Sequence, residues 1–170
     1  MSASSSVYRS PIGSILIESI DGFITALLFI DEKKEAMPKD KSVIGTGIND
    51  GLIAVCRQQL NEYFEGTRRE FDFPFQQSGT PFQQKIWAGL LQIPYGKTIS
   101  YLDLSKRTGD AKAIRAVGTT NGKNQLSIVV PCHRVIGSNG DLTGYAGGLW
   151  RKRWLLEHEG KFANGVQTLF

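Results

Sequence analysis

The chain has 170 residues, of which 41% are hydrophobic and 21% charged, a composition that excludes a disordered tail, a collagen and a coiled coil. Its longest apolar runs, residues 24–30 and 126–131, fall far short of the roughly 18 residues that a membrane span needs, and no secretory signal opens the chain, so we expect a cytoplasmic protein without membrane contact. Residues 1–80 contain 8 Lys and Arg against 11 Asp and Glu, a charge of −3, whereas residues 81–170 contain 12 against 5, a charge of +7. That asymmetry indicates a polyanionic partner or, equally, a solvated lysine-rich surface.

The first predicted elements are β-strands. Residues 7–30 are rich in isoleucine, and Asp21-Gly22 separates two apolar runs, which predicts a β-hairpin with a tight turn. Residues 31–47 are charged and show no periodicity. They predict a long exposed connection.

A helix and a short strand follow. Asn49 can cap a helix whose apolar residues recur at helical spacing until Gly66 ends it. Cys56 lies on or beside the apolar face, which favours a small buried side chain over a reactive one. Residues 71–75 alternate phenylalanine with Asp72 and a proline, which predicts a short edge strand.

The composition changes after this strand, so we divide the chain into an N-terminal α/β domain, residues 1–78, and a C-terminal domain, residues 79–170. The second domain opens with an N-cap, Thr80, followed by proline at the first helical position. Apolar residues then recur at helical spacing, and we expect Phe82 and Trp87 to lie in the core.

Two short helices are predicted next. The run from Ser100 to Asp103 resembles a capping box and opens a helix that Gly109 ends, and Asp110 then caps a second helix over residues 111–117. Two short helices joined by a tight, glycine-containing turn are typical of a helix-turn-helix.

The second of these helices has the composition of a DNA-contacting surface. Small and basic side chains are concentrated in and just after it: Lys112, Ala113, Arg115, Ala116, Gly118 and Lys123. No acidic residue occurs between Asp110 and Asp141, which avoids repulsion of phosphates. Alanine is also a good helix former, so a purely structural interpretation stays open on this evidence.

A cysteine then follows an apolar, strand-like run that ends at Pro131. Cys132 is adjacent to His133 and Arg134, the kinds of group that can favour a thiolate, and a free thiol with a pKa near 8.5 needs such help to attack at neutral pH. We therefore predict a reactive Cys132. With only two cysteines and two histidines in the chain, we expect neither a disulfide framework nor a metal site.

Five motifs stand in the order and at the spacing of one protein family: Arg115-Ala-Val-Gly118, Asn124, Pro131-Cys-His-Arg-Val135, Gly144-Tyr145 and His158-Glu-Gly160. Over residues 80–160 the chain thereby resembles the O6-alkylguanine-DNA alkyltransferases, which are methylated-DNA–protein-cysteine methyltransferases. The resemblance implies an α+β fold, with a small ribonuclease H-like domain of sheet and helix followed by a helical domain with a winged helix-turn-helix. It also implies irreversible, single-turnover transfer of an alkyl group from O6 of guanine, with O4 of thymine as a further candidate, to Cys132 without a cofactor.

The resemblance assigns the catalytic roles. Cys132 would accept the alkyl group, and His133 with Glu159 would activate its thiol through a water molecule. Tyr101 would give a proton to the departing base, and Asn124 would tie the helix-turn-helix to the nucleophile. Glu159 near a helix end could instead be an ordinary solvated residue.

The resemblance also assigns binding residues. Arg115 would intercalate where the damaged nucleotide is flipped out, and further DNA contacts would come from Lys112, Ala113, Ala116, Gly118, Lys123 and Arg134. The base pocket would comprise Tyr101, Val135, Tyr145, Ala146, Gly147 and Lys152. Ala146 departs from the serine that many relatives carry, and Lys152 between two arginines could serve phosphates instead.

The expected partner is double-stranded DNA carrying O6-alkylguanine, bound by a monomer. Two other functions fit parts of the sequence: a non-catalytic protein that binds alkylated DNA, and a hydrolase with a Cys-His pair. Cys132 argues against the first. The DNA-reading elements and a water-relayed histidine argue against the second.

Overall fold

The computed structural model describes residues 3–30 and 50–164. The long connection predicted over residues 31–47 and the predicted cap Asn49 lie outside the described residues. The chain forms two compact units, one of Met1–Gln77 with Gln125–Ser127 and the other of Ser78–Asn124 with Ile128–Phe170. No helix within the described ranges is both long and apolar enough to cross a membrane.

The first unit contains a three-stranded antiparallel sheet in the order β1-β2-β3. Its strands are β1 (Ala3–Ser10), β2 (Gly13–Ile20) and β3 (Phe23–Phe29). The predicted hairpin is confirmed as β2–β3, and both turn residues have positive φ, 49° at Asp21 and 87° at Gly22, as a tight hairpin turn requires. The prediction missed β1, because its buried side chains include serines rather than the apolar residues that mark a strand.

The predicted helix is confirmed as α1 (Asp50–Glu65), and Gly66 follows it with φ of 89°. Cys56 is fully buried on α1, and burial raises the pKa of its thiol to about 12, against a smaller opposing effect of Arg57. The thiol of Cys56 therefore stays protonated at neutral pH, which fits its predicted role as a packing residue.

The predicted edge strand over residues 71–75 is wrong. Only Phe75 forms a bridge, with Ile24 of β3, through hydrogen bonds from Ile24 N to Pro74 O at 2.9 Å and from Gln76 N to Ile24 O at 3.0 Å. Proline has no N–H to donate, so the pairing does not extend along the segment. Residues 125–127 add a second single bridge to β3, at Leu27.

The second unit is mainly helical. Its elements are α2 (Pro81–Leu90), β4 (Ile99–Ser100), α3 (Tyr101–Thr108), a 3-10 turn (Ala111–Ala113), α4 (Ile114–Gly122), a second 3-10 turn (Cys132–Arg134), β5 (Val135–Ile136) and α5 (Leu149–Ala163). The strands β4 and β5 pair in parallel. This short pairing brings the start of α3 close to the residues that follow the cysteine.

The caps of these helices follow the sequence signals. Thr80 and Gln83 form a reciprocal capping box on α2, and the Ser100 side chain accepts from Asp103 N at 2.9 Å on α3. Trp87 is buried as predicted, and its indole donates to Thr120 O at 3.1 Å, which attaches α2 to α4. Phe82 is 39% exposed, against expectation, because the buried stripe of α2 begins one turn later.

The helix predicted over residues 111–117 is divided. Asp110 accepts from Lys112 N at 2.8 Å and caps a 3-10 turn, and α4 begins only at Ile114. α4 then extends to Gly122, beyond the predicted end. The tight turn between α3 and this segment uses Gly109, with φ of 130°.

Candidate active site

Cys132 lies on a tight turn rather than at the end of a strand. Ile128 has φ of 74°, in the left-handed region that a β-branched residue rarely adopts, so the predicted strand cannot form there. Cys132 N donates to Val130 O at 2.8 Å and Arg134 N donates to Pro131 O at 3.0 Å. Cys132 is 7% exposed on this turn.

Two asparagine amides fix the turn from both sides. Asn124 Nδ2 donates to Val130 O at 2.7 Å, and Asn121 Nδ2 donates to Cys132 O at 3.2 Å. Asn124 is predicted from the sequence, whereas Asn121 is not. Asn121 lies on α4 and Asn124 just beyond its end, so no helix-face pattern in the sequence marks the pair. The turn that carries the thiol is thus attached to α4 and the residues just after it.

His133 and Glu159 meet in the interior. His133 Nε2 lies 2.7 Å from Glu159 Oε2, and both side chains are fully buried. Nδ1 of His133 is buried and has no hydrogen-bond partner among the described residues. With Nε2–H donating to the carboxylate, a neutral His133 has its lone pair on Nδ1, free to accept a proton.

Arg134 occupies a different place from the DNA contact predicted for it. It is 7% exposed, and its guanidinium donates to both oxygens of Glu159, at 2.8 and 3.0 Å, and to Ile93 O at 2.7 Å. The prediction treated Arg134 as a surface cation. Its hydrogen bonds instead make it the buried partner of Glu159.

Glu159 is fully buried, which overturns the interpretation as a solvated residue. Burial by itself would raise the pKa of its carboxyl, but His133 and Arg134 outweigh burial and hold that pKa well below its usual range. Glu159 is therefore ionised at neutral pH and can stabilise an imidazolium on His133.

The thiol of Cys132 is protonated at rest. Burial raises its pKa, while a hydrogen bond with Asn124 and the Lys152 ammonium act in the opposite direction without cancelling the effect. The adjacent histidine and arginine do not produce the resting thiolate that the sequence suggested. Deprotonation must accompany attack, and His133 Nδ1, which has no hydrogen-bond partner among the described residues, has the lone pair that a proton relayed through water would need.

Lys152 binds two backbone carbonyls in the interior. It is fully buried on α5, and its Nζ donates to Leu142 O at 2.5 Å and Gly144 O at 3.1 Å. Burial lowers the pKa of Lys152 to about 8, against a smaller opposing effect of Cys132. This location favours the base pocket over a phosphate contact, the alternative that the sequence had left open.

Of the other predicted pocket residues, Tyr101 lies near this lysine. Tyr101 opens α3, and its ring centroid lies 5.8 Å from Lys152 Nζ. Val135 is fully buried on β5, while Tyr145, Ala146 and Gly147 lie in the segment before α5. A Cβ added at Gly118 would lie 3.9 Å from the Tyr101 ring, which places α4 beside Tyr101.

The predicted DNA contacts in and around α4 are exposed or partly exposed. Arg115 and Ala116 are exposed, as are Lys112 before the helix and Lys123 after it. Ala113 and Gly118 are partly exposed, whereas Val117, Thr120 and Asn121 are buried. One helix therefore presents a basic, small-residue face outwards and holds the cysteine turn with its inner face.

The fold and the site define a helix-turn-helix protein with a buried cysteine next to a buried His–Glu pair. Residues 5–77 match the family described as 6-O-methylguanine DNA methyltransferase, ribonuclease-like domain, and residues 81–161 match the DNA binding domain of the same family. The chain belongs to the 6-O-methylguanine DNA methyltransferase family. The predicted α+β fold and the predicted family are confirmed.

Three similar proteins illustrate the match. The chain is 42% identical over 154 residues to the methylated-DNA–protein-cysteine methyltransferase of Methanosarcina acetivorans, covering 91% of this chain and 96% of that protein. It is 45% identical over 140 residues to the constitutive methylated-DNA–protein-cysteine methyltransferase of Bacillus subtilis, covering 82% and 84%. The structure of Mycobacterium tuberculosis OGT in complex with DNA has a TM-score of 0.79 and 40% identity, covering 93% of both chains.

Proposed function

We propose that this protein repairs DNA by direct reversal, with Cys132 Sγ taking an alkyl group irreversibly from O6 of guanine in duplex DNA. O4 of thymine is a second candidate site. The observation that carries the proposal is the buried relay beside Cys132, in which His133 donates from Nε2 to an ionised Glu159 and keeps Nδ1 open. The names of the relatives support the same reaction.

Groups of this chain account for the proton and the bonds that change in the transfer. The Cys132 thiol loses its proton through water to His133 Nδ1, and the thiolate attacks the alkyl carbon. A C–S bond forms, the C–O bond breaks, and its electron pair leaves with guanine. Tyr101 protonates the departing base and recovers a proton, through solvent, from the imidazolium that Glu159 stabilised. The thiol proton thus ends, in net terms, on guanine.

The alkylated base must leave the duplex to reach a buried thiol. α4 presents an exposed Arg115 and small side chains, which suit close approach to a DNA groove. A guanidinium is long and flat, so Arg115 can fill the space that the flipped nucleotide vacates. Lys112 and Lys123 add phosphate contacts that do not depend on sequence.

Replacing Arg115 tests the flipping role. Arg115→Ala is expected to slow repair of a lesion in duplex DNA by about 10- to 100-fold, because unstacking costs a few kcal/mol that the arginine offsets. Transfer from free O6-alkylguanine, which needs no flipping, should stay within about twofold of the unaltered protein. Single-turnover rates on both substrates measure this, and equal losses on the two would refute the finger role.

Turnover tests the proposal as a whole. Cys132 is the only cysteine among the described residues of the second unit, and the described residues contain no metal-binding cluster of three or more His, Cys, Asp or Glu. With duplex in excess, repair should stop when product equals active protein. Continued linear product formation would favour the hydrolase alternative. Monomeric state, cytoplasmic location and independence of a cofactor remain predictions.

A further inference from the structure

Thr143 stands beside the predicted proton donor in a conformation that is costly for its residue type. Its φ is 64°, in the left-handed region, where β-branched side chains are genuine outliers. Asp21, Ile128 and Thr143 are the non-glycine residues with positive φ in the described ranges. Asp21 forms a hairpin turn and Ile128 leads into the cysteine turn, which leaves Thr143 to be explained.

The side chain of Thr143 connects the pocket loop to Tyr101. Its Oγ1 lies 3.0 Å from the Tyr101 hydroxyl oxygen and 2.6 Å from Leu142 O. Leu142 O also accepts from Lys152 Nζ. A chain of hydrogen bonds therefore links the phenol of Tyr101, through Thr143, to the carbonyl that the buried lysine holds.

The surrounding turn holds Thr143 in this position. Gly137 N donates to Asp141 O at 2.7 Å and Gly140 N donates to Gly137 O at 2.9 Å, which closes the loop before Thr143. Gly137 faces the methyl group of Thr143, since a Cβ built on it would lie 3.3 Å from that methyl carbon, and the glycine leaves this space open. Thr143 is exposed, so its hydroxyl is directed to Tyr101 by the backbone of the loop and by its hydrogen bonds rather than by close packing.

We infer that Thr143 is a positioning residue for Tyr101, orienting its hydroxyl and donating to the phenolate oxygen once the proton has passed to the base. At rest, the single Thr143 proton is directed to Leu142 O, since a carbonyl can only accept, and Tyr101 donates to Thr143 Oγ1. When the Tyr101 O–H bond breaks and the proton joins the departing base, the electron pair stays on the phenolate. Rotation of the Thr143 hydroxyl then supplies that oxygen with a hydrogen bond. The inference rests on the proposed function, in which Tyr101 is the donor.

Matched variants separate the hydroxyl from the shape of residue 143. Thr143→Val keeps the branching and removes the hydroxyl, and single-turnover repair of a duplex carrying O6-methylguanine should slow about 10-fold, the value of one hydrogen bond near 1.4 kcal/mol. Thr143→Ser keeps the hydroxyl and should stay within about twofold. Thr108→Val is the control, because its hydroxyl bonds only Leu104 O and Ser105 O within α3. Thr143→Ala replaces Thr143→Val if thermal unfolding shows the latter to be misfolded.

A double-mutant cycle with Tyr101→Phe decides whether Thr143 acts through Tyr101. Tyr101→Phe should slow transfer about 100-fold, as expected for loss of a general acid, and adding Thr143→Val should slow it no further. If the rate losses of the two single variants multiply in the double variant, Thr143 does not act through Tyr101. The same holds if Thr143→Val is as fast as the unaltered protein while Tyr101→Phe is slow. Either result overturns the inference about Thr143 and leaves the proposed function intact. A Tyr101→Phe protein with the full rate would instead remove the donor role on which it rests.

Discussion

Cys132→Ser is expected to lower alkyl transfer below detection, by at least about a thousandfold, because a serine hydroxyl is a far weaker nucleophile at neutral pH. Duplex binding should be retained within about twofold, since serine is nearly the same size and the exposed face of α4 is untouched. Fluorescence anisotropy with a labelled duplex and a single-turnover assay measure the two properties on one preparation.

Cys56→Ala is the matched control. Cys56 is the other cysteine of the chain and is also buried, but it lies on α1 in the first unit, and its pKa of about 12 makes it inert. The variant should transfer at the full rate and lose about 1 kcal/mol of unfolding free energy at most. Repair that survives Cys132→Ser would remove Cys132 from the mechanism, whereas loss of repair in a folded Cys56→Ala protein would overturn the role of Cys56 as a packing residue.

Glu159→Gln is expected to be the most destabilising single change in the site. The neutral amide leaves the Arg134 guanidinium buried without a counter-charge, and breaking a buried pair in this way costs about 3–5 kcal/mol. Transfer should also slow by at least about 100-fold at a temperature where the variant is folded, because the imidazolium on His133 loses its stabilising charge. Chemical denaturation and single-turnover kinetics measure the two losses.

The loss of unfolding free energy in Glu159→Gln depends on pH in one direction only. The folded-state pKa of Glu159 is depressed, so its stabilising contribution is fully present above the unfolded value, near 4.3, and is lost as the pH falls through the folded value. The stability gap between the unaltered protein and Glu159→Gln should be constant above about pH 5 and narrow in stronger acid. Glu157→Gln, an exposed neighbour on α5, should show no comparable gap. A gap that widened in acid would contradict the assigned ion pair.

Local signals in the sequence predicted the local structure well. Thr80, Ser100 and Asp110 were identified as caps, and each accepts a backbone hydrogen bond at the start of its helix or 3-10 turn. Gly66 ends α1 as predicted, and Asp21 lies in the hairpin turn. Capping and turn chemistry involve residues within three or four positions of one another, so a sequence carries them directly.

The errors concern interactions between distant residues. Arg134 looks like a surface cation in the sequence, and only the fold brings it to Glu159, 25 positions away. The strand predicted before Pro131 assumed that an apolar run is extended, but the amides of Asn121 on α4 and of Asn124 just after it bind the backbone of a turn there. Phe82 satisfied the helical period and still lies at the surface, because periodicity does not show where a neighbouring element ends.

The mass of one tryptic peptide tests the central claim most directly. Cleavage after Lys123 and Arg134 releases residues 124–134, whose only cysteine is Cys132, and cleavage after Lys41 and Arg57 releases residues 42–57, which contain Cys56. After incubation with a duplex carrying one O6-methylguanine, the first peptide should be heavier by one CH2 group, in an amount equal to the guanine restored, and the second should be unchanged. Restored guanine with an unmodified 124–134 peptide, or the added mass on the 42–57 peptide, would contradict the assignment of Cys132 as the alkyl acceptor.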